Sequence, residues 1–132
     1  MRVHTAGYPV TVSRELVEIL EHTVKQSGKN ISHGVYVIFR DNSYTAETGG
    51  YHPVEIMISA NGNIQYITDF AYVGYPPELA KEIDFDFSEG HLFHMGSLFP
   101  MDNAKGLFRL WQSNFCSYYK AGVYEVIVRE VN

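Results

Sequence analysis

The chain of 132 residues has the usual length of one domain and can bury a hydrophobic core without help from metal or disulfides. Hydrophobic residues make up 45% and charged residues only 19%, so the composition excludes a disordered protein. The formal charge of −5, with ten scattered Lys and Arg residues, leaves no basic stripe for a phosphate backbone, and we do not expect nucleic-acid binding.

The cysteine count and the lack of long apolar runs indicate the compartment. A single cysteine, Cys116, excludes an internal disulfide and fits a reducing environment. The N-terminal residues lack the apolar region of a signal peptide, and no run approaches the roughly 18 apolar residues of a membrane span. We therefore expect a cytoplasmic protein that does not insert into a membrane.

The first predicted element is a helix that follows an extended arm of residues 1–12. Ser13 is a favourable N-cap, and apolar residues recur at helical spacing from Leu16 to Val24, with charged residues on the other side. Gly28 is expected to end this helix.

Three strands are predicted in the middle of the chain. Val35–Phe39 is apolar in both of its alternating sets, which is typical of a strand covered on both faces. Val54–Ser59 alternates between apolar and polar residues. Gly62 is expected to take the left-handed conformation in the turn that leads to the third strand.

The register of this hairpin has two interpretations. A three-residue loop pairs Ile56 with Tyr66 and collects the large apolar residues of the second strand on one face. A two-residue loop instead pairs Ile56 with Ile67 and turns Asp69 toward the core. We prefer the first, which places Glu55 and Asp69 together on the face opposite Ile56.

The next segment combines turn signals with a further strand. Pro77 is expected to open a short helix through Lys81. Ile83–Phe87 alternates strictly, which predicts a half-buried strand with its two aspartates outward. Residues 88–101 are predicted to be irregular.

The last segment predicts the longest helix and a final strand. Asp102 is a favourable N-cap for the helix, whose apolar stripe includes Trp111, and Gly122 is expected to end it. Val123–Val131 then reads as a strand. Hairpin connections and too few crossover helices predict an α+β fold. We expect a single domain, residues 1–132, with a mainly antiparallel sheet of about four to five strands and two long helices packed on one face.

Five segments of the chain are distinctive. They are RDNSYTAETGGYHPVEI (Arg40 to Ile56), YITDFAYVG (Tyr66 to Gly74), DFDF (Asp84 to Phe87), LWQSNFCSYY (Leu110 to Tyr119) and GVYEV (Gly122 to Val126). In this order they resemble a family of small bacterial proteins that is known only as a domain of unknown function. The resemblance implies a bacterial single-domain protein from a lineage carried partly on mobile genetic elements. It implies no activity, cofactor or catalytic residue.

The loop from 40 to 53 carries many hydrogen-bonding side chains beside a Gly49-Gly50 pair that permits unusual backbone angles. One interpretation is a rigid cross-over that satisfies its own polar groups. The other is a ligand or partner site. For that site the candidate binding residues are Arg40, Asp41, Tyr44, Glu47, Tyr51 and His52.

A pair of carboxylates follows from the preferred register. Glu55 and Asp69 are diagonal neighbours on one sheet face, with α-carbons about 7 to 8 Å apart. Enclosed by the preceding loop, and with His52 at the rim, two such carboxylates can act as an acid and base pair. The alternative is a solvated sheet face. Glu55, Asp69 and His52 are therefore the candidate catalytic residues.

A metal site and a cysteine nucleophile are not expected. The spacing of His91 and His94 would suit two ligands on a helix, but flanking glycines argue against a helix and no third ligand accompanies them. Cys116 falls inside the long helix between aromatic residues, which is typical of a buried small hydrophobe. We predict no metal and no cofactor.

The leading hypothesis is a small binding or accessory protein that engages a protein partner, or a second copy of itself, through the loop from 40 to 53. It rests on the absence of a complete catalytic constellation and on a surplus of tyrosine, a residue favoured at interfaces. The alternative is an enzyme of unassigned type acting on a small polar substrate. A third hypothesis, an acidic nucleic-acid mimic, rests only on the charge of −5.

Overall fold

The computed structural model describes the whole chain, residues 1–132. Its helices are α1 (Arg14–Ser27) and α2 (Lys105–Lys120), and a 3-10 turn, Met101–Ala104, leads into α2. The strands are β1 (Val35–Arg40), β2 (Val54–Ile58), β3 (Ile64–Val73), β4 (Glu78–Asp86), β5 (His91–His94), β6 (Ser97–Pro100) and β7 (Glu125–Glu130).

The strands form one antiparallel sheet of seven strands in the order β6-β5-β4-β3-β2-β1-β7. Both helices pack on one face of it, and the other face carries no helix. Residues 1–12 form neither helix nor strand, and they bury Val3, Val10 and Val12. The predicted α+β class is confirmed, whereas the predicted count of about four to five strands is too low.

The additional strands lie in segments that were expected to be helical or irregular. β4 begins at Glu78, so the short helix predicted from Pro77 to Lys81 is wrong. β5 and β6 form a hairpin within residues 88–101, and its turn residues Met95 and Gly96 have φ angles of 52° and 77°. Methionine rarely adopts the left-handed conformation, so the sequence lacks the usual signal of such a turn.

The first helix has the predicted ends. The hydroxyl oxygen of Ser13 accepts a hydrogen bond from the backbone N–H of Leu16 at 3.1 Å, which caps α1 and contributes about 1 kcal/mol. Gly28 follows the helix with a φ of 65°, a left-handed conformation that glycine adopts without steric cost.

The second helix begins later than predicted. Asp102 lies inside the 3-10 turn and is not the N-cap; α2 starts after Ala104, which offers no capping side chain. Met101 and Ala104 are fully buried, so packing of the turn fixes the start of the helix in place of a cap. Gly122 follows the end of α2 with a φ of 76°, as expected. Neither helix is long and apolar enough to cross a membrane.

The hairpin of β2 and β3 combines both predicted registers through a β-bulge. Ile58 pairs with Ile64, as the three-residue loop requires. Gln65 is then an extra residue on β3, and beyond it Ile56 pairs with Ile67, as the two-residue loop requires. The preferred pairing of Ile56 with Tyr66 is therefore wrong.

The bulge moves one of the two candidate carboxylates to the other side of the sheet. Asp69 lies opposite Val54 and shares the face that the helices cover, whereas Glu55 lies opposite Thr68 on the uncovered face. Directly opposed residues of an antiparallel pair share a face, so a shift of one residue exchanges the faces. The prediction that Glu55 and Asp69 lie on one face is wrong.

The core fills the space between the helices and the covered face. Phe39 of β1 and Phe85 of β4 are fully buried, and Phe115 of α2 packs edge-on against Phe39 with ring centroids 4.9 Å apart. Trp111 and Cys116 are buried on the same helix, as predicted. Burial of each large side chain contributes roughly 1.5–3 kcal/mol.

Candidate functional site

A cleft of about 320 Å³ opens between the end of the 40 to 53 loop, α2 and the start of β7. We call it the tyrosine cleft, and it is lined by Gly50, Tyr51, His52, Val54, Asp69, Trp111, Asn114, Phe115, Tyr118 and Tyr124. Pockets for small ligands start at about this volume, and they combine apolar walls with a few convergent polar groups. The cleft has both features.

Aromatic rings form the walls of the tyrosine cleft. The ring of Tyr51 lies 4.6 Å from that of Tyr118 and 6.5 Å from that of Tyr124. Trp111 stacks on Phe115, with ring centroids 5.1 Å apart and planes only 9° from parallel. Burial raises the pKa of Tyr124, and the charge of Asp69 raises it further, so this phenol stays protonated and can donate a hydrogen bond.

Two of the lining residues, His52 and Asp69, belong to a group of ionisable side chains that also includes Glu82, which lies outside the cleft. We call His52, Asp69 and Glu82 the carboxylate-histidine cluster. The Nδ1 atom of His52 lies 2.8 Å from Oδ1 of Asp69 and 2.9 Å from Oε2 of Glu82. The indole N–H of Trp111 donates a hydrogen bond of 3.0 Å to the other oxygen of Asp69. This bond fixes the rotation of the Asp69 carboxylate.

A second β-bulge brings Glu82 into the cluster. Asp69 pairs with Ile83 and Phe70 pairs with Lys81, so Glu82 is an extra residue on β4. A bulge of this kind bends the strand and re-aims a side chain. Without the two bulges, Asp69 and Glu82 would not both reach the end of the loop.

The cluster raises the pKa of His52. The hydrogen bond with Asp69 is the largest cause; burial of the imidazole opposes it, and the charges of Asp69 and Glu82 reinforce it. The ring also packs against Tyr44, with centroids 5.3 Å apart. His52 is therefore held in one orientation from two sides.

The first part of the loop satisfies its own polar groups, as one of the two interpretations predicts. The carboxylate of Asp41 accepts hydrogen bonds of 2.9 Å from the backbone N–H groups of Ser43 and Tyr51. The Ser43 hydroxyl donates a further bond, the largest cause of the lowered pKa of Asp41. Gly50 has a φ of 142°, and a Cβ there would lie 2.9 Å from the Asp41 carboxylate.

The candidate binding residues divide into three groups. Tyr51 and His52 line the cleft. Asp41 and Tyr44 contact these two residues from outside the cleft: Asp41 accepts a hydrogen bond from the backbone N–H of Tyr51, and the ring of Tyr44 packs against that of His52. The hydroxyl of Tyr44 accepts a hydrogen bond of 3.0 Å from the backbone N–H of Tyr72. Arg40 and Glu47 are exposed and lie outside the cleft.

The candidate catalytic residues are brought together only in part. His52 and Asp69 are in contact, but Glu55 lies on the uncovered face, where it accepts a hydrogen bond from the Tyr66 hydroxyl. His91 and His94 lie on a strand rather than a helix, and a spacing of three places them on opposite faces. Burial raises the pKa of Cys116 to about 12, which argues against a thiolate nucleophile.

Sequence reasoning missed Glu82 and assigned Trp111 to the core alone. Glu82 falls between a segment expected to be helical and a strand expected to start at Ile83, so nothing in the pattern placed it beside a loop. Trp111 is a core residue, only 9% exposed, but its N–H reaches a carboxylate. A buried tryptophan usually needs such an acceptor, and this was the available signal.

Fold and site together define a small α+β protein with one antiparallel sheet, helices on one face and an aromatic cleft beside a carboxylate-histidine cluster. The chain belongs to the family described as "Protein of unknown function (DUF2787)", which matches residues 14–129. The resemblance to a family of unknown function is thus confirmed.

Two solved structures from Vibrio cholerae share the fold. The hypothetical protein VC0508 from the VSP-II pathogenicity island is 38% identical, with a TM-score of 0.83 over 96% of this chain and 99% of its own. The conserved hypothetical protein VC1805 from pathogenicity island VPI-2 is 35% identical, with a TM-score of 0.82 over 93% of this chain and 98% of its own. VC1805 is described as sharing structural homology with the human P32 protein. No curated protein matches the chain, and neither the family nor these structures assign a function.

Proposed function

We propose that this protein is a small bacterial binding protein that engages a protein partner through the tyrosine cleft and the adjoining end of the 40 to 53 loop. The observation that carries the proposal is the exposure of two large aromatic rings inside a concave surface. Tyr51 is 39% exposed and Tyr118 is 36% exposed, and both line the cleft. Tyrosine and tryptophan in such positions dominate the binding energy of protein interfaces.

Pre-organisation of the cleft supports the same proposal. The backbone of Tyr51 is held by Asp41, and its ring packs on Tyr118 before any ligand arrives. Binding to walls that are already ordered loses little side-chain entropy. Two polar groups that line the cleft, the amide of Asn114 and the imidazole of His52, can orient a side chain of the partner.

The experiment compares three variants of the full chain. Tyr51→Ala and Tyr118→Ala remove cleft walls, whereas Tyr75→Ala removes a fully exposed tyrosine at the turn between β3 and β4. Each tagged protein captures partners from a lysate of the source bacterium, enriched proteins are identified by mass spectrometry, and the leading partner is purified and titrated by calorimetry.

We expect a partner that binds wild type and Tyr75→Ala equally and binds the two cleft variants at least ~30-fold more weakly, as loss of a hot-spot residue implies. Sedimentation velocity of the pure protein identifies the case in which the partner is a second copy. A purified partner whose affinity does not change in Tyr51→Ala and Tyr118→Ala would refute the proposal, as would a monomer for which no partner is enriched reproducibly.

The proposal includes a cellular setting. A bacterial cytoplasm fits the single, buried Cys116, and carriage on a mobile genetic element fits the two relatives from pathogenicity islands. A partner encoded on the same element is then a natural candidate for the titration.

A second candidate function is acid-base catalysis on a small polar substrate. The contact between Nδ1 of His52 and Asp69 favours it, because a carboxylate in this position orients the imidazole of many general bases. Asp69 and His52 remain the proposed pair, and Glu82 replaces Glu55, which lies on the other face. A panel of small polar metabolites incubated with wild type and His52→Gln, and followed by NMR, tests the idea. Turnover of a metabolite by the wild-type protein but not by His52→Gln supports catalysis. Identical spectra from the two proteins would rule out catalysis that depends on His52.

A further inference from the structure

We propose that His52, Asp69 and Glu82 bind a divalent transition-metal ion, Zn²⁺ or Mn²⁺, at the bulged end of the β3 and β4 ladder. The site goes beyond the proposed partner binding and does not depend on it. Its three ligand atoms come from three separate segments, the loop, β3 and β4, and they all lie within 4.8 Å of one another.

Hydrogen bonding alone does not account for the close approach of two carboxylates to one nitrogen of His52. Oxygens of Asp69 and Glu82 lie at 2.8 and 2.9 Å from the same nitrogen of His52. That nitrogen carries at most one proton, which can point well at only one of two acceptors. A metal ion, in contrast, can be coordinated by the nitrogen and by both oxygens at the same time.

Charge and ligand type indicate the class of ion. A neutral imidazole with two carboxylates has a charge of −2, which a divalent cation neutralises. Imidazole favours transition metals over Mg²⁺ and Ca²⁺, and carboxylate oxygens suit Zn²⁺ and Mn²⁺. Neighbouring ligands about 2.1 Å from an ion are about 3 Å apart in octahedral coordination, which Mn²⁺ adopts, and about 3.4 Å apart in the tetrahedral coordination of Zn²⁺. The separations of 2.8 and 2.9 Å from His52 Nδ1 are close to the octahedral value, and Zn²⁺ requires the two carboxylates to move outward by about half an ångström.

The surroundings hold the ligands in place. Trp111 donates to the second oxygen of Asp69, the kind of contact that orients a ligating carboxylate from outside. Tyr44 packs against the imidazole of His52. The side chain of Glu82 is 45% exposed, so an ion can reach the site from solvent, and His52 and Asp69 also line the tyrosine cleft.

The test titrates the metal-free full chain with ZnCl₂, MnCl₂ and MgCl₂ by calorimetry and records thermal unfolding with each salt. Glu82→Gln and His52→Gln remove ligands. Glu78→Gln removes an equal charge from the same strand, and His94→Gln removes a histidine from the next strand, so both serve as matched controls. Circular dichroism verifies that each variant is folded, and Glu82→Gln alters only a half-exposed side chain.

We expect one equivalent of Zn²⁺ or Mn²⁺ per chain, an increase in Tm with that ion, and much weaker binding of Mg²⁺. Glu82→Gln and His52→Gln should weaken binding by at least ~10-fold, and both controls should bind as wild type does. The proposal is overturned by the absence of a Zn²⁺ or Mn²⁺ site, by equal binding of Mg²⁺, or by a site that Glu82→Gln leaves intact.

Discussion

Asp69 is the residue at which the fold and the candidate site meet. One carboxylate oxygen contacts His52 and the other accepts a hydrogen bond from Trp111, so the loop, the sheet and α2 are joined through a single side chain. Its side chain is only 13% exposed. A carboxylate that is largely withdrawn from water loses hydration, and these two contacts replace it.

The hydrogen bond from Trp111 to Asp69 can be removed while one aromatic ring is kept at the same buried position, although the smaller side chain also leaves some core volume unfilled. Trp111→Phe keeps an aromatic ring against Phe115 but loses the N–H donor to Asp69. We expect a loss of at least about 2 kcal/mol in the free energy of unfolding, because hydrogen bonds to charged groups contribute ~1.5–3 kcal/mol and the unfilled volume adds to this loss. Urea unfolding followed by circular dichroism measures it, since Trp111 is the single tryptophan. Leu110→Ala, at a 61% exposed position of the same helix, is the control. A loss below about 0.5 kcal/mol would show that the bond is not structural.

Asp41 makes the stability of the loop dependent on pH. Hydrogen bonds from Ser43 and Tyr51 lower the pKa of Asp41 below its unfolded value of about 3.9. The stabilisation is therefore complete above that value and is lost as pH falls through the folded pKa. Wild type should unfold at a higher temperature than Asp41→Asn at neutral pH, and the gap should close as pH falls through the acid range.

Thermal scans across that range, with Asp102→Asn as an exposed control, measure the gap between the two proteins. A gap that stays constant from neutral to acid pH would show that the Asp41 charge does not hold the loop.

At the scale of elements, two bulges create the candidate site. Gln65 shifts the register of β3 and turns Asp69 toward the helices, and Glu82 is the extra residue that β4 places beside it. Each bulge adds one residue to one strand. Together they convert a regular antiparallel sheet into one with a cluster of polar side chains beside α2.

The turn between β2 and β3 also anchors the N-terminal arm. Gly62 has a φ of 90°, and a Cβ there would lie 2.0 Å from the backbone oxygen of Arg2. We expect Gly62→Ala to lower the free energy of unfolding by about 2 kcal/mol, through backbone strain and displacement of the arm. Gly106→Ala, at a helical position with open space, should raise it by ~0.5–1 kcal/mol. Denaturant unfolding of both variants measures the difference, and equal effects would contradict this account of Gly62.

The ends of α1 could be predicted from sequence because each depends on one local interaction, the Ser13 cap and the Gly28 conformation. The bulge at Gln65 depends on the core. Ile64 and Ile67 are both buried, and two residues three apart cannot share a face of a regular strand. The spacing of Ile64 and Ile67 was therefore a sequence signal for a bulge. The alternating pattern of β2 favours a regular ladder instead, and the predicted register followed that pattern. The position of Glu82 had no local signal, because it is set by the partner strand.

At the scale of the whole molecule, the two sheet faces have different roles. The helices and the N-terminal arm cover one face and leave the tyrosine cleft at its margin. The other face carries polar pairs, including Tyr66 with Glu55 and Thr68 with Asp84. Further apolar side chains, Met95 and Leu98, are exposed at the hairpin of β5 and β6. These surfaces are the alternatives to the cleft as the place where a partner binds.

The most direct test is the ¹H–¹⁵N NMR spectrum of the labelled chain, recorded with and without the purified partner. The account predicts that the largest shift changes fall on residues 50–52, on the side of α2 from Trp111 to Tyr118, and on Tyr124. Changes confined to the uncovered sheet face or to the β5 and β6 hairpin, with the cleft signals unmoved, would contradict it.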